Sequence, residues 1–505
     1  MIFLVALTTL RTGATLTTII VIRTLATLAT LRTLTTTLLW FYVSLWLFYE
    51  NTVRKLELTC LWVNLQKFDT NLVTLFDTSL LDSLKTLPVN LRDVQQTILA
   101  RHKLYEASVR HNATNGSLVF ENKTKVYFGK EQMCHLHEEV ARFGKRVLMV
   151  YGGGSIKRIG LYDKVMVELQ KAGASVFELP GVEPNPRHTM VNKGAAICKQ
   201  KGIDVLLAVG GGSTIDCTKA IAAAAKYEGD DVWDLITEKA VVSESLPIIT
   251  VLTLSATGSE MDGGCVISNM ETNEKLGYFG PDNYPDVSFL DPTNTFSVSP
   301  YQTACGSVDI MAHVFDVCYF TKHPTMDMLH RIQEEVLKTV VKYAPVALAK
   351  PDDYEARANL MWASSWALNN FLFEGFFQAT VCHAMEHELS AFYDITHGHG
   401  LAILHPRWLT YVLDEETAPI IQRFGVNVMG LDVSLPVMEG AKAAIKALET
   451  FYFETLGLKS RLSDLGIDDK NFAAMARKAC GAEGILHGFT DLTPADVEKI
   501  FRMCL

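Results

Sequence analysis

The first part of the sequence lacks the residues that a compact enzyme domain needs for its turns and its charged surface. No glycine occurs between Gly13 and Gly116, the first proline is Pro88, and the first acidic residue is Glu50. Tight turns depend on glycine and proline, so this stretch does not predict an α/β domain. We interpret residues 1–116 as a low-complexity hydrophobic leader and linker that stand outside the enzyme fold.

Two other interpretations of the leader stay open. Residues 38–49 are nearly all apolar, but a membrane span needs about 20 such residues. A targeting peptide would explain the lack of acidic residues, although the segment has no basic first region and no clear cleavage site. Low-complexity sequence, such as a mis-assigned start, is the interpretation that the pattern favours.

The rest of the composition excludes several classes of protein. No CxxC pair occurs among the 10 cysteines, which argues against a zinc ribbon or a thioredoxin-type site. The net charge of -10 argues against a nucleic-acid partner. With 49% hydrophobic and 20% charged residues, the 505-residue chain can bury a large core. We expect a cytoplasmic protein with reduced thiols and no membrane attachment of its enzyme part.

From residue 117 onward, short apolar runs alternate with amphipathic segments. The pattern predicts strands at 146–151, 174–179, 203–210 and 246–252, and helices at 191–201 and 213–227. Strands that alternate with helices predict a parallel sheet. After about Pro300 the pattern is helical. We therefore predict an α/β domain at 117–297 and an all-α domain at 298–505.

The clearest local motif of the first half is a triple glycine after a predicted strand. Gly210, Gly211 and Gly212 end the strand, and Ser213 is placed to cap the helix that follows. Such a turn lets backbone N–H groups approach a pyrophosphate at a helix N-terminus. The spacing is neither GxGxxG nor a Walker loop, and a plain tight turn is the alternative interpretation.

A second glycine run bears on the choice of cofactor. Gly153, Gly154 and Ser155 follow an earlier predicted strand, and Lys157 and Arg158 come next. An NAD enzyme places a carboxylate where it can bind the ribose 2′-OH. No acidic residue stands in this loop to repel a 2′-phosphate, so the sequence favours NADP(H).

A third loop, at 253–260, follows the fourth predicted strand. Its hydroxyl groups belong to Thr253, Thr257 and Ser259. They suit contacts with a phosphate or with the nicotinamide amide. A polar loop without a ligand is the alternative.

Aspartate and histidine residues recur at helical spacing in the second half. Asp309 and His313 stand four apart, His383 and His387 also stand four apart, and His397 follows. Residues four apart lie on one face of a helix. A carboxylate with several imidazoles, and no cysteine among them, is a donor set for Fe²⁺ or Zn²⁺. The spacing therefore predicts a site for one divalent metal.

Taken together, these motifs resemble a known family. GGGSTIDCTKA, TLSATGSE, the DxxxH motif and the HxxxH motif with its later HG are similar to those of the iron-containing (group III) alcohol dehydrogenases. The likeness is greatest to the NADP-dependent butanol dehydrogenase and aldehyde reductase branch, and it runs from about residue 117 to the C-terminus. It implies a dinucleotide-binding α/β domain, an all-α metal-binding domain, a small alcohol or aldehyde substrate and a homodimer.

The resemblance also assigns roles to residues. The metal ligands of the family fall on Asp309, His313, His383 and His397, and the ion is Fe²⁺ or Zn²⁺. The catalytic position beside the nicotinamide falls on His387, for substrate placement or proton relay. The cofactor contacts implied by the loops and by the resemblance are Gly153, Gly154, Ser155, Gly210, Gly211, Gly212, Ser213, Asp216, Thr253, Thr257 and Lys275.

Two functions from other classes compete with an alcohol dehydrogenase. A lyase of the dehydroquinate synthase type also uses a nicotinamide and a metal, but with a different ligand set. A membrane-attached binding module would rest on residues 1–49 alone. Net turnover of NADP(H) distinguishes the dehydrogenase from the lyase.

Overall fold

A computed structural model describes residues 120–280, 282–322, 327–372 and 380–505. The leader and linker predicted at 1–116 lie outside these residues. All the described residues belong to one compact unit.

The first half is built on a six-stranded parallel sheet. The eight strands of the described residues are β1 (Lys125–Phe128), β2 (Arg146–Tyr151), β3 (Ser175–Pro180), β4 (Val205–Gly210), β5 (Ile248–Leu252), β6 (Gly264–Asn269), β7 (Glu274–Phe279) and β8 (Val287–Leu290). The sheet has the order β1-β8-β5-β4-β2-β3, and every neighbouring pair in it is parallel. Strands β6 and β7 form a separate antiparallel pair.

Helices cover both faces of this sheet. They are α1 (Leu136–Phe143), α2 (Ser155–Arg158), α3 (Leu161–Lys171), α4 (His188–Lys201), α5 (Gly212–Ala224) and α6 (Trp233–Ile236). Strand β4 is buried along its whole length, and its side chains alternate between two core clusters, with Leu206 in one and Val205 and Leu207 in the other. A strand covered on both faces needs an uninterrupted apolar run, which VLLAVG supplies.

The second half is helical. Its helices are α7 (Pro300–Val314), α8 (Asp327–Ala349), α9 (Tyr354–Ala367), α10 (Val381–Tyr393), α11 (His397–Tyr411), α12 (Ala418–Asn427), α13 (Val437–Glu449), α14 (Phe472–Ala479) and α15 (Pro494–Met503). Helix α7 begins where the sequence predicts a start: Pro300 occupies its first turn, and the Ser299 side chain accepts a hydrogen bond from the Gln302 backbone N–H. A π-helical turn, Phe315–Tyr319, follows it directly.

The predicted fold class, a parallel-sheet half followed by a helical half, is confirmed. The four strands predicted at 146–151, 174–179, 203–210 and 246–252 are β2, β3, β4 and β5 within two residues at each end. Among the residues that the structure describes, no helix is long and apolar enough to cross a membrane.

Candidate active site

The two glycine loops lie at the point where the direction of strand addition reverses. Strand β3 is added on one side of β2, and β4 is added on the other side. In open α/β sheets, ligands bind in the crevice at the carboxyl ends of two such strands. Gly153 and Gly154 follow β2, and Gly211 and Gly212 follow β4, so the fold brings both predicted loops to one crevice.

The triple glycine packs so tightly that larger residues do not fit. A Cβ on Gly210 would lie 2.4 Å from Thr214 Oγ1, and one on Gly212 would lie 2.4 Å from Thr257 Cγ2. The backbone N–H of Thr253 donates to the carbonyl oxygen of Gly210 at 3.0 Å. The β4–α5 turn and the loop that holds Thr253 and Thr257 are therefore one packed unit at the crevice.

One detail of this turn differs from the prediction. Ser213 was expected to cap the following helix, but α5 begins at Gly212, its N-cap is Gly211, and Ser213 lies inside the first turn. Gly211 has the extended backbone that an N-cap residue adopts, so the helix starts two residues earlier than a Ser213 cap would place it. Ser213 remains half-buried at the helix N-terminus, where its hydroxyl and backbone N–H are close to the crevice.

Asp216 fastens this helix to its neighbours. Its carboxylate accepts hydrogen bonds from Ser259 Oγ at 2.6 Å and from the Val266 backbone N–H at 2.9 Å. One turn later, fully buried Lys219 pairs with Asp262 at 3.1 Å. Burial raises the pKa of Asp216, and the Lys219 charge opposes that rise. The observed partners of Asp216 are protein groups, and its contact with a cofactor stays a prediction.

The loop after β2 leaves open space. A Cβ added to Gly153 or Gly154 would meet no described heavy atom within 4 Å. Gly154 has φ +96°, in the region that favours glycine, and Ser155 begins α2. The loop therefore leaves room beside its backbone for a ligand group.

A charged cluster that the sequence prediction missed borders this loop. Tyr151 and Tyr162 both donate to the Glu178 carboxylate, at 2.6 and 2.9 Å. Lys157 Nζ lies 5.2 and 4.5 Å from the centres of the same two rings. Glu178 stands 23 residues after Ser155, about where a dinucleotide fingerprint places its acidic residue, and this spacing was the available signal.

The four predicted metal ligands converge. Asp309 and His313 lie on α7, His383 lies on α10, and His397 is the first residue of α11. Nε2 of His313, His383 and His397 lies 3.9, 3.9 and 3.5 Å from Asp309 Oδ1. For bonds of 2.0–2.1 Å, two donors of a tetrahedral ion stand about 3.4 Å apart. Asp309, His313 and His383 are close enough to one another to hold one ion. His397 Nε2 is a fourth donor beside Asp309, and its binding to the same ion stays a prediction.

The chemistry of these donors fits a cation. Asp309 Oδ1 and His383 Nε2 are buried and have no hydrogen-bond partner among the described residues. Burial raises the pKa of Asp309 to about 7 and lowers the pKa of His313 and His397 well below the usual range. Neutral imidazoles are the form that binds metal, and a buried carboxylate needs a positive partner.

Two buried carboxylates stand behind the histidines. Asp316 Oδ2 accepts from Nδ1 of His383 at 2.9 Å, and Glu386 accepts from Nδ1 of His397. Because an ionised carboxylate only accepts, His383 carries its proton on Nδ1 and keeps a lone pair on Nε2. Glu386 also pairs with Lys275, whose Nζ lies 3.2 Å away.

Lys275 therefore lies beside His397, with its Nζ 3.3 Å from Nδ1 of that ring. It is buried on β7. Its expected role as a cofactor contact stays a prediction, and its observed partners belong to the metal end of the crevice.

His387 faces the same group of rings. Its ring centre is 5.7 Å from that of His397 and 6.4 Å from that of His383. Burial and the charge of Lys275 hold its pKa well below the usual range. Glu386, His387 and His397 also form a second cluster close enough to hold an ion, so the assignment of His387 outside the ligand set stays a prediction.

Asp316 and Glu386 are the functional candidates that the sequence prediction did not name. Asp316 continues the spacing of Asp309 and His313 by three residues, as i, i+4 and i+7 on one helical stripe. Glu386 directly precedes His387. The spacing that indicates Asp316 is visible in the sequence DIMAHVFD. The pairing of Glu386 with His397 depends instead on how α10 packs against α11.

Comparison with known proteins agrees with this geometry. The model of the iron-containing alcohol dehydrogenases matches residues 123–292, and the C-terminal model of the Fe-containing alcohol dehydrogenase family matches residues 303–505. The chain is 47% identical over 380 residues to NADH-dependent butanol dehydrogenase B of Clostridium acetobutylicum, covering 75% of this chain and 96% of that protein. It is 36% identical to the NADPH-dependent aldehyde reductase YqhD of Escherichia coli, covering 70% and 90%.

A solved structure extends the likeness to the fold. The NADH-dependent butanol dehydrogenase A of Thermotoga maritima superposes with a TM-score of 0.72 at 36% identity, covering 77% of this chain and 98% of that one. Family models of alcohol dehydrogenases thus match both halves. The lyase alternative is not supported. The chain belongs to the iron-containing alcohol dehydrogenase family.

Proposed function

We propose that this enzyme interconverts small primary alcohols and aldehydes with NADP(H), and that Asp309, His313, His383 and His397 hold its catalytic ion. The observation that carries the proposal is the approach of three imidazole Nε2 atoms to one carboxylate oxygen, within 3.5 to 3.9 Å. Fe²⁺ and Zn²⁺ both accept this mixed donor set. When bound, such an ion polarises a carbonyl group and stabilises negative charge on its oxygen.

The remaining side chains of the site orient the reactants. His387 lies half-buried beside His397, with its pKa held well below the usual range by desolvation and by the Lys275 charge. It is placed to hold the substrate hydroxyl or to pass a proton. Lys275 adds a positive charge at the same end. The packed loops after β4 and β5 present backbone N–H groups and hydroxyls to the cofactor.

The choice of NADP(H) rests on this chain's own loop. The clostridial relative is named for NADH and the E. coli relative for NADPH, so the relatives support either cofactor. Gly153 and Gly154 have open space and no charge, and Lys157 follows. Glu178 favours the alternative, NADH, but its carboxylate already accepts hydrogen bonds from two tyrosine hydroxyls. The Lys157 ammonium lies over the same two tyrosine rings.

We also propose that the protein is a homodimer and that it works in the cytoplasm. The nine cysteines of the described residues are all free and eight of them are buried, which suits a reducing compartment. Light scattering of the purified chain tests the dimer.

The direct test is turnover by the purified full chain loaded with Fe²⁺ or Zn²⁺. With straight-chain aldehydes of two to five carbons, we expect NADPH oxidation, lost on chelation and restored by the metal. We expect kcat/KM to favour NADPH over NADH by about tenfold, which is about 1.4 kcal/mol. Binding of NADPH without turnover of any aldehyde or alcohol would refute the activity.

A substitution at Gly153 tests the cofactor loop. Gly153→Asp is expected to shift the ratio of kcat/KM for NADPH over NADH by about 10²-fold toward NADH, because the new carboxylate repels a 2′-phosphate and accepts from a 2′-OH. Gly153 is preferred to Gly154, whose φ of +96° disfavours a side chain. Gly153→Asn is the neutral control of equal size. If both variants change the ratio of kcat/KM equally, the ribose 2′-position of the cofactor does not lie beside Gly153.

A further inference from the structure

Asp316 is bound to His383 twice. It lies in the π-helical turn Phe315–Tyr319, directly after the helix that carries Asp309. Its Oδ2 accepts from the backbone N–H of His383 at 2.7 Å and from Nδ1 of the same residue at 2.9 Å. One carboxylate oxygen thus fixes both the first turn of α10 and the ring that this turn presents.

These two hydrogen bonds determine what His383 offers to an ion. With its proton held on Nδ1, the ring directs the lone pair of Nε2 toward Asp309 Oδ1, 3.9 Å away. A partner of this kind fixes the tautomer and the orientation of a ligating imidazole and makes it more basic. Among the described residues, no carboxylate accepts from Nδ1 of His313 in this way.

The second oxygen of Asp316 faces another helix. Oδ1 lies 3.5 Å from Nε2 of His405, which is fully buried on α11, eight residues after His397. The ring of His405 is enclosed by Phe315 and Trp408, with ring centres 5.5 and 6.4 Å away. Asp316 therefore connects the three helices that supply the expected ligands.

The place of Asp316 in the chain suits this role. Asp309 and His313 lie on one stripe of α7, and Asp316 continues that stripe into the π-helical turn. Such turns frequently occur at functional sites. The side chain is fully buried, and its ion-pair partners among the described residues are His383 on α10 and His405 on α11.

We propose that Asp316 is the positioning residue that makes His383 a metal ligand, with His405 supporting Asp316 from behind. The inference rests on the proposed metal site. It adds a requirement that the ligand set alone does not contain: a third side chain on the stripe of Asp309 and His313 that touches no ion and yet controls the metal affinity.

The test measures metal affinity and not turnover. Zn²⁺ is titrated into the full-length metal-free chain in competition with a chromogenic chelator. Asp316→Asn keeps the size and one acceptor oxygen but loses the charge, and its affinity is expected to fall by about 10- to 100-fold. Glu388→Gln removes another buried carboxyl from α10 that touches no expected ligand, and we expect affinity within about twofold of the unmodified chain.

Wild-type affinity in Asp316→Asn, or an equal loss in Glu388→Gln, would overturn the inference. His383→Ala distinguishes this failure from failure of the metal site. If His383→Ala loses the ion and Asp316→Asn does not, only the role of Asp316 is refuted. If His383→Ala keeps the ion, the site itself is refuted.

If Asp316→Asn does not fold, a measurement on the unmodified chain tests the hydrogen bond between His383 and Asp316. In Zn²⁺-loaded protein labelled with ¹⁵N-histidine, the proton on Nδ1 of His383 should give a far-downfield signal protected from exchange. His383→Ala should lack it. Its absence from the wild-type spectrum would overturn the inference.

Discussion

His383→Ala is expected to lose bound metal and turnover together, with kcat/KM lower by about three orders of magnitude. His383 supplies one of four converging donors, and its Nε2 has no other partner among the described residues. Without this side chain, an ion would keep one carboxylate and two imidazole ligands and would have one more open coordination position. A loss of 10³ corresponds to about 4 kcal/mol of transition-state stabilisation, within the range that a metal contributes.

His399→Ala is the matched control for this variant. His399 is also a buried histidine of the helical half, but its ring contacts Tyr301 and the Lys459 carbonyl instead of the cluster. We expect it to lower thermal stability and to keep one ion per chain. Stoichiometric metal by elemental analysis in His383→Ala, together with full turnover, would contradict the ligand set.

Gly398→Ala is expected to damage the site through packing alone. A Cβ on Gly398 would lie 2.1 Å from the backbone oxygen of Cys305, so α11 must move away from α7. Gly398 is next to His397, and Cys305 is four residues before Asp309. Overpacking of this kind costs about 1–3 kcal/mol, and a displacement of about 1 Å at a catalytic group can cost 10²-fold in rate.

The measurements are the thermal midpoint, the Zn²⁺ affinity and kcat/KM with a short aldehyde. All three should fall in Gly398→Ala, with kcat/KM lower by about 10²-fold. Gly277→Ala is the matched control, because a Cβ on Gly277 meets no described atom within 4 Å. If Gly398→Ala matches Gly277→Ala in affinity and rate, the close crossing of α7 and α11 does not position His397.

Local pattern was sufficient to predict four of the six strands of the sheet and the helical half, whereas β1 and β8 were not predicted. Apolar runs that end in glycine are strands because both faces of the sheet are covered, and β2 and β4 show this directly. The antiparallel pair β6–β7 was missed. Its burial is irregular and its side chains are mixed, so no period-2 pattern distinguishes it from a loop.

The site was predictable where its residues share an element and unpredictable where they meet across elements. Asp309 and His313 lie one helical turn apart, so their common face follows from spacing. Lys275 and Glu386 are 111 residues apart, and their pairing depends on the packing of β7 against α10. The position of Asp316 follows from its helical spacing after Asp309 and His313. Its pairing with His383 depends instead on how α10 packs against the π-helical turn.

Locating the ion is the most direct test of the account. Anomalous diffraction from crystals of the metal-loaded enzyme should show one peak per chain, bounded by Asp309, His313, His383 and His397. The described residues contain two other clusters that are close enough to hold an ion, Glu386–His387–His397 and Asp316–Cys382–His405. A peak at either of these clusters, and none beside Asp309, would contradict the proposed ligand set.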